Sequence, residues 1–157
     1  MNLSSLPVTY RAVIPESFID EFGHVNVMWY THLFTEGAGG LFQLVGLTRE
    51  HLEGNRAGTF ALEQHFRYLK EIRQGQHVTL RSRVLGRSAK RWHTIHFITI
   101  DELDVLAATC EVVSTYVDMT VRRSAEMPKI IIDGIDRLLN EHTKLDWDAP
   151  VCGTMKS

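Results

Sequence analysis

Asp20, Gly23, His24 and Asn26 lie within the seven-residue run Asp20-Glu21-Phe22-Gly23-His24-Val25-Asn26, and Tyr30 follows about one helical turn later. An acid, a glycine turn and a helix start are thus brought together just after a strand-like segment. A carboxylate beside a helix N-terminus can activate water as a general base or attack an electrophile itself. The unpaired N–H groups of the first helical turn, here those of Val27 and Met28, stabilise the anion that such an attack creates. Hydrolysis of a thioester requires those two things. His24 would polarise the substrate carbonyl or share a proton with Asp20. Each residue also has a structural use: Asp closes turns through local backbone hydrogen bonds, Asn26 suits an N-cap, and Tyr30 falls on an apolar helix stripe.

The elements that position these residues are readable from periodicity. Val8 to Ile14 alternates as a strand, and Pro15 ends it because proline cannot donate to the ladder. Beyond Asn26, the apolar residues Val27, Tyr30, Phe34, Ala38, Leu41 and Val45 recur at helical spacing. Gly37, Gly39 and Gly40 sit inside that helix, each costing ~1 kcal/mol relative to alanine. The expected reason is a sheet pressed closely on that face, with a kink as the alternative. From Gly58 the period becomes two, placing Phe60, Leu62, Gln64, Phe66 and Tyr68 on one face and Glu63, His65 and Arg67 on the other. Strands are predicted through Val78 to Val84, Trp92 to Ile100 and Val105 to Val117, with turns at Gln74-Gly75, Gly86 to Ser88 and Asp101 to Asp104. Ile131, Ile135, Leu138 and Leu139 predict a terminal helix from Lys129. One strand, one long helix and four consecutive strands make an α+β pattern. A single domain is expected over 1–157, its core about 9–128 and its C-terminal helix and tail 129–157.

Arg81, Arg83, Arg87, Lys90 and Arg91, with Ser88 in the turn between them, form the densest basic cluster of the chain. Guanidinium groups contact phosphate in bidentate fashion, so the cluster suits a phosphorylated ligand. The plain alternative is charge that protects a sheet edge and keeps a turn soluble.

The string D-x-x-G-H-V-N-x-x-x-Y, with Phe34 and Glu36 beyond it, resembles the hotdog-fold acyl-CoA thioesterases related to 4-hydroxybenzoyl-CoA thioesterase. VLGRSAKRWHTIHF is similar to that family's third-to-fourth strand turn, and YVDMTVRRSAEMP to its closing stretch, so the likeness runs from about Thr9 to Pro128. The resemblance implies a curved antiparallel sheet of about five strands wrapped around one long helix, plus a C-terminal helix. It implies Asp20 as nucleophile or general base and a backbone oxyanion donor at the helix start. Glu36 matches a recurring family acid; a second branch of these enzymes uses a helix glutamate, which makes Glu36 the reserve catalytic group. Coenzyme A would enter as part of the substrate, with no separate cofactor, and the basic cluster would hold its phosphates. Relatives pair through an open sheet edge, which implies a homodimer or homotetramer with sites between subunits.

The reaction so implied is hydrolysis of an acyl-CoA or acyl-carrier thioester to the free acid and thiol. Two alternatives stay open: a hotdog protein that binds an acyl thioester without turnover, and a hotdog dehydratase using His32 and Glu36. Trp29, Tyr30, Phe60, Phe66 and Trp92 would suit an aryl or quaternary ammonium acyl group, and would equally fill a core.

Composition narrows the partners. A net charge of −2 gives no overall attraction to nucleic acid. No apolar stretch reaches the ~20 residues of a membrane span. The start, MNLSSLPVTYR, lacks a secretory pattern, and the only two cysteines, Cys110 and Cys152, suit a reducing compartment, so a cytoplasmic protein is expected. His93 and His96 are three apart on a strand and point to opposite faces, and no local spacing of histidines or cysteines predicts a metal.

Overall fold

A computed structural model describes all of residues 1–157. Strand β1 (Val8–Val13) runs up to Pro15, and helix α1 (Val27–Leu44) begins at Asn26. There follow α2 (Arg49–Gly54), β2 (Ala57–Tyr68), β3 (His77–Arg87), β4 (Arg91–Ile100), β5 (Val105–Asp118), the short β6 (Arg123–Ser124) and α3 (Lys129–His142). The strands form one antiparallel sheet in the order β1-β3-β4-β5-β2, with β6 beside the end of β5. The sheet curls around α1, giving the α+β hotdog arrangement. No helix is long and apolar enough to cross a membrane.

Helix α1 is set by its cap and its stripe. The Asn26 side chain accepts the Met28 N–H at 3.0 Å, and Tyr30, Leu33, Phe34, Gly37 and Leu41 form the buried face. That face meets Leu80, Ile98, Ala108, Cys110 and Val112 of the sheet. Each large side chain buried there stabilises the fold by about 1.5–3 kcal/mol. The helix glycines divide by position. A Cβ at Gly40 would overlap the Thr9 carbonyl of β1, one at Gly37 would lie 2.7 Å from Leu80 Cδ2, and one at Gly39 would meet nothing within 4 Å. The sheet therefore presses on α1 at Gly40 and Gly37, and Gly39 needs another reason.

Three expectations change. The pairing of β2 with β5 shifts register between Ala61 and Glu63, so Leu62 is an extra residue in a bulge. A bulge reverses the facing of what precedes it. Thr59 and Ala61 consequently face α1 together with Gln64, Phe66 and Tyr68, while Phe60 and Leu62 stand 39% and 47% exposed. Gly86 lies within β3 at a second irregularity, between Val84 and Gly86, and not in the turn. α2 and β6 are too short to carry a periodic signal, and neither was anticipated.

Two further layers close the molecule. Ile131, Ile135 and Leu138 of α3 pack on Leu41, Val45 and Trp92. On the outer face of the sheet, Leu6, Ile95 and Phe97 lie beneath Leu145, Trp147 and Ala149 of the tail. The free side of β2 remains unpaired, a twelve-residue edge at the end of the sheet.

Candidate active site

The segment from Ile19 to Asn26 is a tight turn held at both ends. Ile19 and Val25 form an isolated antiparallel bridge, the Asp20 N–H donates to His24 O at 3.0 Å, and the Gly23 N–H donates to Asp20 O at 3.0 Å. Gly23 has φ +81°, a conformation that other residues rarely adopt. The Val25 N–H donates to Ile72 O and the Asn26 N–H to Phe18 O, which docks the turn on neighbouring segments before the helix starts.

The Asp20 side chain is 16% exposed. Its Oδ1 accepts the Phe22 N–H at 2.9 Å, and its Oδ2 stands 3.4 Å from His24 Nδ1. Asp20, His24, Val27, Tyr30, Tyr68 and Glu71 line one pocket of about 490 Å³. Of the helix-start donors, Val27 N–H has no acceptor in the chain. Met28 N–H, named beside it on sequence grounds, is already held by Asn26 Oδ1, so the cap that starts the helix removes that donor. Asn26 lines the pocket as well, with its carbonyl side committed to capping.

Tyr30 and Tyr68 meet edge to face with ring centroids 5.0 Å apart, and burial raises both hydroxyls above their ordinary values. Phe22 stands 76% exposed at the pocket mouth. Tyr68, Glu71 and Phe22 were not among the sequence candidates. Tyr68 ends β2 and Glu71 follows it in a loop that the Val25 N–H to Ile72 O bond holds against the turn, more than forty residues along the chain from Asp20, and no local motif marks them. Of the aromatic residues considered for the acyl group, only Tyr30 faces this pocket. Trp29 stacks on Phe18 at 3.9 Å, and Trp92 stacks on Phe42 at 5.0 Å.

Glu36 is elsewhere. It lines a second groove of about 410 Å³ with Gln64, Trp92 and His96, so one chain does not bring Glu36 to Asp20. His96 in that groove is fully buried beside Ser82 Oγ at 2.7 Å, and burial pushes it down to about 4, so it is neutral. Cys110, facing the same groove, is pushed up to about 12 by burial and by the Glu111 charge, and is no nucleophile. His32 packs edge-on against Phe18 and Trp29 and makes no hydrogen bond to Glu36, which removes the pair a dehydratase would need.

Most of the basic cluster is already bonded within the chain, which leaves few of its members free to meet a phosphate. Arg81 donates to Leu6 O at 2.6 Å. Arg83 donates to Trp147 O and His142 O and lies 4.4 Å from the centre of the Trp147 ring. Arg87 grips Asp136 of α3 through two bonds of 2.6 Å. Ser88 Oγ accepts the Arg91 N–H within its own turn. Only Lys90 and the Arg91 guanidinium have no protein partner. They lie next to β6, where Ser124 Oγ is 2.6 Å from Thr115 Oγ1 and Thr115 Oγ1 donates to Lys90 O.

Known proteins share this fold. A betainyl-CoA thioesterase of Pseudomonas aeruginosa is 24% identical over 143 residues, covering 91% of this chain and 90% of that one. An L-carnitine dehydrogenase/betainyl-CoA thioesterase of Agrobacterium fabrum is 25% identical over 129 residues, and there the chain spans only 26% of its relative. Among solved structures, the Staphylococcus aureus protein SAV2348, crystallised with CoA, superposes with a TM-score of 0.82 at 23% identity, covering 91% of this chain and 90% of that one. Residues 14–135 match the thioesterase-like superfamily, a stretch that holds the Asp20 turn, α1 and all of the sheet after β1. The chain belongs to the thioesterase-like superfamily and is a thioester hydrolase of the hotdog fold.

Proposed function

We propose that this protein hydrolyses acyl-CoA thioesters in the pocket headed by Asp20. The observation that carries the reading is the pairing, in one pocket, of Asp20 Oδ2 with the unbonded Val27 N–H at a helix start. Asp20 takes a proton from water as water adds to the thioester carbon, or adds to that carbon itself and is freed by water afterwards. In either course the C–S bond breaks, the thiolate of coenzyme A leaves with a proton, and the free acid remains. Val27 N–H holds the oxyanion, strengthened by the partial positive charge of the helix terminus. His24 steers the Asp20 carboxylate. Coenzyme A arrives with the substrate, and no cofactor is needed.

The working unit is a two-fold dimer or a dimer of dimers. The unpaired β2 edge supports it, since long exposed edges are usually covered or paired. Antiparallel pairing of two β2 strands sets the Thr59 end of one beside the Tyr68 end of the other. The Glu36 groove of one protomer then abuts the Asp20 pocket of its partner, which is how Glu36 and Gln64 would enter the site. The same pairing carries Lys90 and Arg91 toward the partner's pocket, where they meet the phosphates of coenzyme A. Lys90→Ala and Arg91→Ala are expected to raise KM more than they lower kcat, because remote phosphate contacts bind ground and transition states alike. The effect should fade at high salt. Arg87→Ala should leave KM unchanged and cost about 0.5–1 kcal/mol of stability as the Asp136 pair is lost. An unchanged KM in both turn variants at low salt would remove the phosphate role.

The acyl group is short and cationic. Phe22, Tyr30 and Tyr68 offer ring faces and Asp20 a carboxylate around the pocket, which Lys70 also lines, while the Glu71 carboxylate is paired with Arg73; the betainyl-CoA relatives point to a cationic acyl group. Betainyl-CoA and its neutral isostere 3,3-dimethylbutanoyl-CoA separate charge from shape. With kcat/KM normalised to each thioester's rate with hydroxide, the cation should be favoured about tenfold, the scale of one desolvated cation–π contact. Equal or better use of the neutral isostere would show that the pocket selects on shape alone.

A further inference from the structure

The outer face of the sheet gathers a second set of chemistry-bearing side chains. His65 of β2 stands directly opposite Glu111 of β5, and the tail lays Cys152 over the pair. A ring nitrogen of His65, a carboxylate oxygen of Glu111 and Cys152 Sγ all lie within 4.8 Å of one another. Glu111 is only 1% exposed, yet neither lysine nor arginine pairs with it. Its oxygens meet His93 Nε2 at 2.8 Å and the Cys152 N–H at 2.6 Å. A buried carboxylate demands a counter-charge. The two imidazoles and the thiol around it are all good metal ligands. None of the four lines the Asp20 pocket.

We propose that His65, Glu111 and Cys152 form a zinc site on the outer face of the sheet, pinning the C-terminal tail. The sulfur and nitrogen donors suit zinc and exclude magnesium and calcium, which take oxygen ligands. Tetrahedral zinc, with bonds of about 2.0–2.3 Å, sets its ligand atoms about 3.3–3.8 Å apart. Closing from 4.8 Å asks for a small inward shift. Cys152 lies in irregular backbone beside Gly153 at φ +81°, so the tail can supply it. His93, hydrogen-bonded to Glu111, orients the carboxylate as a second shell commonly does. Binding replaces the Cys152 thiol proton with the metal–sulfur bond and releases that proton to water. The fourth position falls to water.

The test uses the full chain stripped with a chelator and titrated with zinc against a chromophoric competitor, then with cobalt as a spectroscopic substitute. One zinc per chain is expected, with a thiolate-to-cobalt charge-transfer band in the cobalt form. Zinc should also protect Cys152 from a thiol reagent; Cys110 is 1% exposed and stays silent. Cys152→Ser and His65→Gln should each weaken zinc binding at least about tenfold, and His93→Gln by a similar factor. Glu111 is left intact because a buried substitution risks the fold, and far-ultraviolet circular dichroism checks each variant. No zinc bound at about 10 µM free metal, or equal affinity in Cys152→Ser and His65→Gln, or a cobalt spectrum without the sulfur band, would overturn the site.

Discussion

Asp20→Asn is expected to lower kcat by at least about a hundredfold with the fold and assembly intact, the scale of a lost general base or nucleophile. The substitution is nearly isosteric, and the amide oxygen can still accept the Phe22 N–H that organises the turn. What it removes is the charge at Oδ2, the oxygen left facing His24 and the pocket. KM for a neutral acyl-CoA should change far less than kcat, because the proposed coenzyme A contacts, Lys90 and Arg91, lie on other residues. Near wild-type turnover in the folded variant would transfer the role to Glu36 in the neighbouring groove.

The second large effect concerns Gly40. Alanine there gains about 1 kcal/mol in helix propensity. Its Cβ, however, would overlap the Thr9 backbone carbonyl, which no change of rotamer can move aside. Overpacking of this kind costs about 1–3 kcal/mol, and a backbone neighbour sets it at the upper end, so the denaturant midpoint should fall. Gly39→Ala is the internal control: nothing stands within 4 Å of its Cβ, and it should gain up to about 1 kcal/mol. Gly37→Ala falls between them, since only the far end of the Leu80 side chain is close. Equal stability of the Gly39 and Gly40 variants would contradict the close seat of α1 on β1.

The long elements were legible because their periods are local. Asn26 caps α1 where its side chain and the following apolar spacing indicate, and Ile131, Ile135 and Leu138 are buried as their helical stripe requires. The strand phase of β2 failed at Leu62, because a bulge is set by the pairing partner and leaves no mark in the strand's own sequence. The partners of the basic cluster are hidden from the sequence for a related reason. Arg81, Arg83 and Arg87 are close in sequence, but their partners Leu6, Trp147 and Asp136 come from distant segments that only the fold brings near. Tyr68 and Glu71 were missed as pocket residues on the same ground. The Asp20 turn was readable because its hydrogen bonds, its left-handed Gly23 and its helix cap all close within a few residues. His65, Glu111 and Cys152 lie far apart in sequence, so a search for short metal-ligand spacings could not find them.

The central claim is that the Asp20 pocket turns acyl-CoA over. Steady-state release of the coenzyme A thiol by the wild-type protein, followed with a thiol reagent on betainyl-CoA, tests it most directly. Many equivalents of thiol per chain, with an equal amount of free acid, are predicted. Saturable binding of the thioester with no thiol released beyond the uncatalysed rate would contradict it.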